Sequence, residues 1–180
     1  VTIDDDIGYP YALIAELILA AITKKDVVVG SSGQNLSFWG ISEPFPGNTI
    51  LSDPHSNAVY QDVLEGFGGI AYHANYIDEN LMKKFADKDF SKECFFSDDI
   101  VISFVLALTG YSRMRVFSAH FQRTDLFHFR YGLEDDALHK GGGLESEKFL
   151  NPEQVDREKY QKCFSHLKEA LETNYLTSGM

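Results

Sequence analysis

Three consecutive carboxylates, Asp4-Asp5-Asp6, follow a short β-branched run and precede the turn-forming stretch Ile7-Gly8-Tyr9-Pro10. At the end of a strand such carboxylates cannot spread apart, and at an effective dielectric near 20 each close pair costs about 3 kcal/mol at about 5 Å. A divalent cation removes that cost. On an extended backbone Asp4 and Asp6 point to one side and Asp5 to the other, so an Asp-x-Asp pair can hold a metal or a ribose hydroxyl. A solvated acidic turn is the structural reading of the same residues. Two further places bear residue types that do chemistry. Glu65-Gly66-Phe67-Gly68-Gly69 offers a backbone that can approach a ligand closely or turn sharply. Ser97-Asp98-Asp99 places two acids where a helix begins. They are candidates for general-base work, and equally for stabilising the helix dipole at about 0.3–1 kcal/mol each.

These residues need elements to hold them. Pro10 to Ile22 reads as a buried helix, with Pro in the first turn and Lys24 and Lys25 after its end. Val27 to Val29 is a short strand, and Gly30 to His55 a long irregular loop with Phe38-Trp39 as its aromatic anchor; loops of this length usually carry function. Asp78 suits the cap of a helix running to about Ala86, and Ser97 the cap of a second helix from Asp98 to Thr109, stopped by Gly110. A strand is expected over Met114 to Ser118. Residues 119–150 give few periodic signals and are expected to be irregular and partly mobile. Asn151, Pro152 and Gln154 mark the start of a last helix, whose Tyr160, Cys163, Phe164, Leu167, Ala170 and Leu171 form one apolar face.

Strands alternating with helices favour an α/β fold in a single domain over 1–180. Its core portion covers 1–118, and a C-terminal helix covers 151–175. A chain of 180 residues, 44% hydrophobic and 24% charged, is long enough for one sizeable core. A net charge of −11 with scattered basic residues argues against a nucleic-acid partner, and means that an anionic substrate needs a counterion. No apolar run reaches the roughly 18 residues of a membrane span. The two cysteines, Cys94 and Cys163, are too few for a disulfide framework but allow one bridge. Asn35-Leu36-Ser37 fits a glycosylation acceptor, weakly. The chain opens without Met and places its chemistry at the end of its first strand, which suggests a fragment or processed form. The compartment is open: cytoplasmic, or Golgi-lumenal as part of a longer protein.

The order and spacing of Asp4-Asp5-Asp6, Val63-Leu64-Glu65-Gly66-Phe67-Gly68-Gly69-Ile70-Ala71-Tyr72 and Cys94-Phe95-Phe96-Ser97-Asp98-Asp99-Ile100 resemble a GT-A fold glycosyltransferase of the family 2-like kind. The resemblance runs from Asp4 to about Gly110. It implies a Rossmann-like mixed sheet flanked by helices, and metal-dependent transfer of a sugar, with inversion, from a nucleotide-sugar donor to a hydroxyl of a glycan or other acceptor. Asp4 and Asp5 would lie on the nucleotide side, and Asp6 with Asp4 would bind Mn²⁺ or Mg²⁺. Gly68 and Gly69 would leave room for the donor, and Asp98 or Asp99 would take the acceptor proton. Glu65 would orient an acceptor or pair structurally, while His128, His139 and Lys140 are weaker candidates for a metal or phosphate contact. The strands that hold the nucleotide base in such folds would precede Val1. A haloacid-dehalogenase-like phosphatase also carries Asp-x-Asp, but the residues after Asp6 do not continue its pattern. The remaining alternative is a catalytically inactive carbohydrate-binding or scaffolding domain, for which the aromatic residues would serve sugar stacking.

Overall fold

The computed structural model describes residues 1–3, 7–10, 12–46, 59–85, 90–95, 97–116, 128–129 and 152–177. Asp4, Asp5, Asp6, His139 and Lys140 lie outside them, as does most of the region expected to be irregular.

The centre is a mixed sheet built on the valine run. β2 (Val27–Gly30) pairs in parallel with β7 (Ser112–Arg115) and antiparallel with β6 (Ile70–Ala71), and β4 (Val59–Tyr60) closes the other edge against β7. The strand order is β4-β7-β2-β6. Two small pairs flank it: β3 (Gly33–Gln34) with β5 (Val63–Leu64), and β1 (Ile7–Gly8) with β8 (His128–Phe129). The parallel β2–β7 pair is reached through a crossover that contains α2 (Glu79–Phe85), α3 (Lys92–Phe95) and α4 (Asp98–Leu108), as parallel pairing requires. A mixed α/β sheet with flanking helices is thus present.

Both faces of β2 are buried. Val27 and Val29 meet Leu13 and Leu17 of α1 (Leu13–Thr23), while Val28 packs with Leu64, Ile70 and Leu106 on the α4 side. A strand covered on both faces needs apolar side chains at every position, hence Val-Val-Val in place of alternation. The expected burial of α1 holds for one stripe only. Leu13 and Leu17 are buried, but Ile14, Ile18, Leu19 and Ile22 are exposed, because a helix lying on one side of a sheet can bury only the side chains on its facing turns.

The largest core cluster joins α4 to α5 (Pro152–Thr177) through Phe104, Val105, Phe45, Phe164 and Leu167. Pro152 opens α5 as expected, and Cys163, Phe164 and Leu167 form its buried stripe. Trp39 ends a 3₁₀ turn, Leu36–Trp39, inside the expected loop; its ring stacks on Tyr160 at 4.3 Å, and its carbonyl accepts from Gln161 Nε2 at 2.7 Å. Trp39 is therefore the anchor, whereas Phe38 beside it is 56% exposed. An ion pair between Lys168 and Glu43 adds a surface contact, and Glu43 raises the Lys168 pKa, first through that hydrogen bond. Cys94 of α3 and Cys163 of α5 form a disulfide across 69 positions of sequence. In the chain-entropy picture such a closure is worth about 4 kcal/mol.

Some boundaries moved. β7 begins two residues before the expected strand, and Gly110, at φ +84°, ends the α4 segment as expected. Asp78 caps α2 through Oδ1, which accepts from the Asn80 and Leu81 amides at 2.9 and 3.1 Å. Ser97 occupies the N-cap position of α4 without a side-chain capping bond; its backbone, at φ −139° and ψ 50°, departs from the usual cap geometry.

Candidate functional site

The sheet delivers its functional candidates to the C-terminal end of the parallel pair, where open α/β sheets generally bind ligands. β2 ends at Gly30, and Ser31 and Ser32 follow it directly. Facing them is the glycine segment, a 3₁₀ turn over Gly66–Gly68 entered from β5 and left into β6. Two backbone bonds close the turn, Gly68 N–H to the Glu65 carbonyl at 3.1 Å and Gly69 N–H to the Gly66 carbonyl at 2.8 Å.

Close approach explains the glycines at 68 and 69. A Cβ on Gly68 would fall 2.5 Å from Ser32 Cβ and 2.8 Å from the Ser32 amide nitrogen, so only hydrogen fits. Gly69 sits at φ +80° and ψ 133°, a region essentially reserved to glycine. The Ser31 hydroxyl donates to the Gly68 carbonyl. The Ser32 hydroxyl, from a residue 2% exposed, donates to Glu65 Oε2 at 2.6 Å, and the Glu65 amide donates back to the Ser32 carbonyl at 3.2 Å. Glu65 is thereby given a structural partner and a fixed orientation.

The acidic pair divides. Asp98 is exposed, while Asp99 is half-buried and its Oδ1 accepts the Gly66 N–H at 2.8 Å. A charge-assisted bond of this kind is roughly twice as strong as a neutral one. It joins the first turn of α4 to the glycine turn across 33 positions of sequence. One residue type, two environments: Asp99 is held by the protein and Asp98 stands in solvent. One turn further along α4, Ser103 Oγ accepts the Leu64 N–H at 3.2 Å and fixes the strand that enters the turn.

The residues on both sides of the acidic triplet reach the same segment. Thr2 and Ile70 exchange backbone bonds, Thr2 N–H to Ile70 O at 2.8 Å and Ile70 N–H to Thr2 O at 3.0 Å. The Tyr9 hydroxyl donates to the Phe67 carbonyl at 2.8 Å. The stretches separately read as candidate chemistry are thus joined: 65–69 to Asp99 directly, and 65–70 to the residues flanking Asp4, Asp5 and Asp6. The triplet itself lies outside the described residues, and among those described no three His, Cys, Asp or Glu are grouped to hold a metal ion.

Tyr9, Ser31, Ser32 and Ser103 were not among the expected site residues. Position after a β-branched strand was the available signal for Ser31 and Ser32; nothing local marks Tyr9 or Ser103, whose partners are 58 and 39 positions away. Beneath the site Arg113 of β7, 1% exposed, donates from Nε to the Asp62 carbonyl at 2.6 Å and from Nη1 to the Tyr111 carbonyl at 3.0 Å. Burial pulls its guanidinium down to about 10, with the charge of Asp62 acting in the opposite direction. A surface groove of about 390 Å³ between Gly40–Glu43 and α5 contains none of the described site residues.

Among the described residues no helix is long and apolar enough to cross a membrane. No protein-family model, no curated protein and no solved structure matched this chain.

Proposed function

We propose that this chain is a metal-dependent glycosyltransferase domain of GT-A type, or the part of one that carries its acidic and glycine-rich motifs. The observation that supports this most is the convergence at the glycine turn: Gly66 N–H on Asp99, Tyr9 on Phe67 and Thr2 on Ile70 gather three motifs that sequence separates by up to 97 positions.

In this reading Asp99 takes the acceptor hydroxyl proton. Its carboxylate is oriented by the Gly66 amide through one oxygen, and orientation is what a general base requires before its pKa matters. Glu65, held by Ser32, orients the acceptor, and Asp98 contributes negative charge at the rim of the site. Gly68 and Gly69 let the turn dock on Ser32 and on Leu13 and Leu17, and so hold Gly66 and Asp99 in place beside the proposed donor site. Asp4 and Asp6 are the residues proposed to hold Mn²⁺ or Mg²⁺, with Asp5 on the nucleotide side; the cation supplies Lewis-acid stabilisation of the leaving diphosphate. With a net charge of −11 the protein cannot attract a nucleotide diphosphate by its own field, which favours a cation-dependent donor.

The test is a thermal melt of the chain with Mn²⁺ alone, and with Mn²⁺ plus UDP, GDP or CMP in turn. Ligand at about 100 times its dissociation constant adds roughly 2.7 kcal/mol, an upward shift of about 5–10 °C for a domain of this size. A shift that needs both the cation and one nucleotide supports the reading and identifies the donor base. A cooperative melt unmoved by all three refutes donor binding by this chain.

A further inference from the structure

Cys94 and Cys163 are both buried, at 1% and 0% exposure, and they join α3 to the interior face of α5. α3 is in contact with both α5 and α4. The Cys94 carbonyl accepts the Ser97 N–H at 3.1 Å, and the Ser97 carbonyl accepts the Ile100 N–H at 3.1 Å, so backbone hydrogen bonds link Cys94 to Ser97 and Ser97 to the first turn of α4. That turn carries Asp99, whose Oδ1 holds Gly66. At the other sulfur, α5 is anchored to the 3₁₀ turn at Trp39 by ring stacking and by Gln161. Among the described residues the Ser97 hydroxyl is buried without a hydrogen-bond partner, so the capping bond that normally defines a helix start is missing, and the start of α4 is held by the Cys94–Ser97 bond, the Asp99–Gly66 bond and the burial of Ile100 and Val101.

We propose that the Cys94–Cys163 disulfide is the positioning device for the acidic turn, substituting a covalent tie for the missing cap, and that the protein matures in an oxidising compartment. Two thiols form the bond with loss of two electrons and two protons, taken up by the disulfide of a thiol-exchange oxidoreductase that is itself reduced to a dithiol. Such bonds persist outside the reducing cytosol. Once closed, the bond is shielded from dissolved reductants, because neither sulfur is reachable without opening the α3–α5 contact. Its significance for catalysis rests on the transferase reading, but its geometry does not.

The test follows the Gly66 amide by ¹⁵N NMR as pH is lowered through the carboxylate range. In the oxidised protein this resonance carries a pH-dependent component that Asp99→Asn removes, beside the component from the adjoining Glu65 carboxylate, which Asp99→Asn leaves. In the Cys94→Ala/Cys163→Val double variant, at a temperature where the β2 and β7 amides keep their wild-type positions, the amplitude of the Asp99 component falls at least twofold and the Ser97 and Ile100 amides shift. Retention of the full Asp99 component at Gly66 in the folded variant overturns the proposal, since the bond then merely constrains the unfolded chain. Failure of both the double variant and the dithiol-reduced wild type to fold overturns it too, in favour of a global staple. Alkylation of the denatured protein supplies the second arm: secretory expression yields no free thiol and cytosolic expression yields two, whereas two free thiols after secretion refute the bond. None of these readouts uses a donor, so a failed nucleotide melt and a failed proposal are distinct results.

Discussion

Gly68→Ala measures how tightly the glycine turn is docked on the chain that leaves β2. The added Cβ would lie 2.5 Å from Ser32 Cβ, 2.8 Å from the Ser32 nitrogen and 2.9 Å from Ser31 Oγ. Unstrained carbon contacts lie near 3.5–4.0 Å, so the first of these is about 1 Å too close. A flexible side chain could swing away, but two of the three atoms belong to Ser32, whose backbone is tied to Glu65 by the 3.2 Å bond and whose hydroxyl is on Glu65 Oε2. Relief therefore separates the turn from Ser31–Ser32. Overpacking of about 2 kcal/mol and one lost hydrogen bond of about 1 kcal/mol give a destabilisation of about 3 kcal/mol. At roughly 2–4 °C per kcal/mol the midpoint falls by about 6–12 °C. Gly110→Ala is the control: it sits at φ +84° with open space around its would-be Cβ, so it carries backbone strain alone, about 1 kcal/mol. Differential scanning calorimetry of both variants decides the matter. If Gly68→Ala melts no lower than Gly110→Ala, the turn is not packed on Ser32 as described.

Asp99→Asn should lower sugar-transfer kcat by at least about 100-fold, the usual contribution of a positioned general base, while Asp98→Asn stays within about tenfold of wild type; steady-state kinetics with the nucleotide sugar identified by the melts checks this. Ser97→Ala, which would cost about 1 kcal/mol if its hydroxyl capped α4, should cost less than about 0.5 kcal/mol by urea denaturation, since that hydroxyl makes no capping bond. Arg113→Met should destabilise by about 3 kcal/mol, because it strips donors from two partly buried carbonyls and leaves Asp62 without its nearby positive charge. The pH dependence has a definite sign. The folded pKa of Arg113, about 10, lies below the ordinary guanidinium value, so between the two the unfolded chain binds more protons. The cost of burying the charge is thus complete below about pH 10 and is relieved as pH rises above it. The stability gap between wild type and Arg113→Met should therefore widen by about 1 kcal/mol from about pH 9 to about pH 11 in matched urea titrations.

Local chemistry was legible wherever a physical signal is carried by near neighbours. Asp78 caps α2 with bonds to residues two and three positions on, Gly110 ends α4 because it alone accepts the positive φ, and Pro152 opens α5 where its missing N–H does no harm. The valine run was readable as a strand because three consecutive β-branched residues suit a sheet covered on both faces. Ser97 stands at the expected N-cap position, but its backbone, at φ −139° and ψ 50°, leaves the hydroxyl buried without a bond to the helix, while its amide is held by the Cys94 carbonyl. The loop from Gly30 looked irregular because β3 and the turn at Leu36–Trp39 are stabilised by β5 and by Tyr160, neither of which is nearby in sequence.

Sequence by itself determined which residues could do chemistry here, the acids at 4–6 and 98–99 and the glycines at 66–69, together with an α/β alternation and a closing amphipathic helix. Tertiary structure alone decided which of them meet. It gave Asp99 and not Asp98 to the Gly66 amide, set Glu65 on Ser32, brought Tyr9 to Phe67 within the glycine turn and Thr2 to Ile70 after it, and paired Cys94 with Cys163. Capping, φ preference and periodicity act over a few residues and are written in them. A hydrogen bond across 33 positions or a disulfide across 69 depends on where the packed sheet and helices carry its two ends.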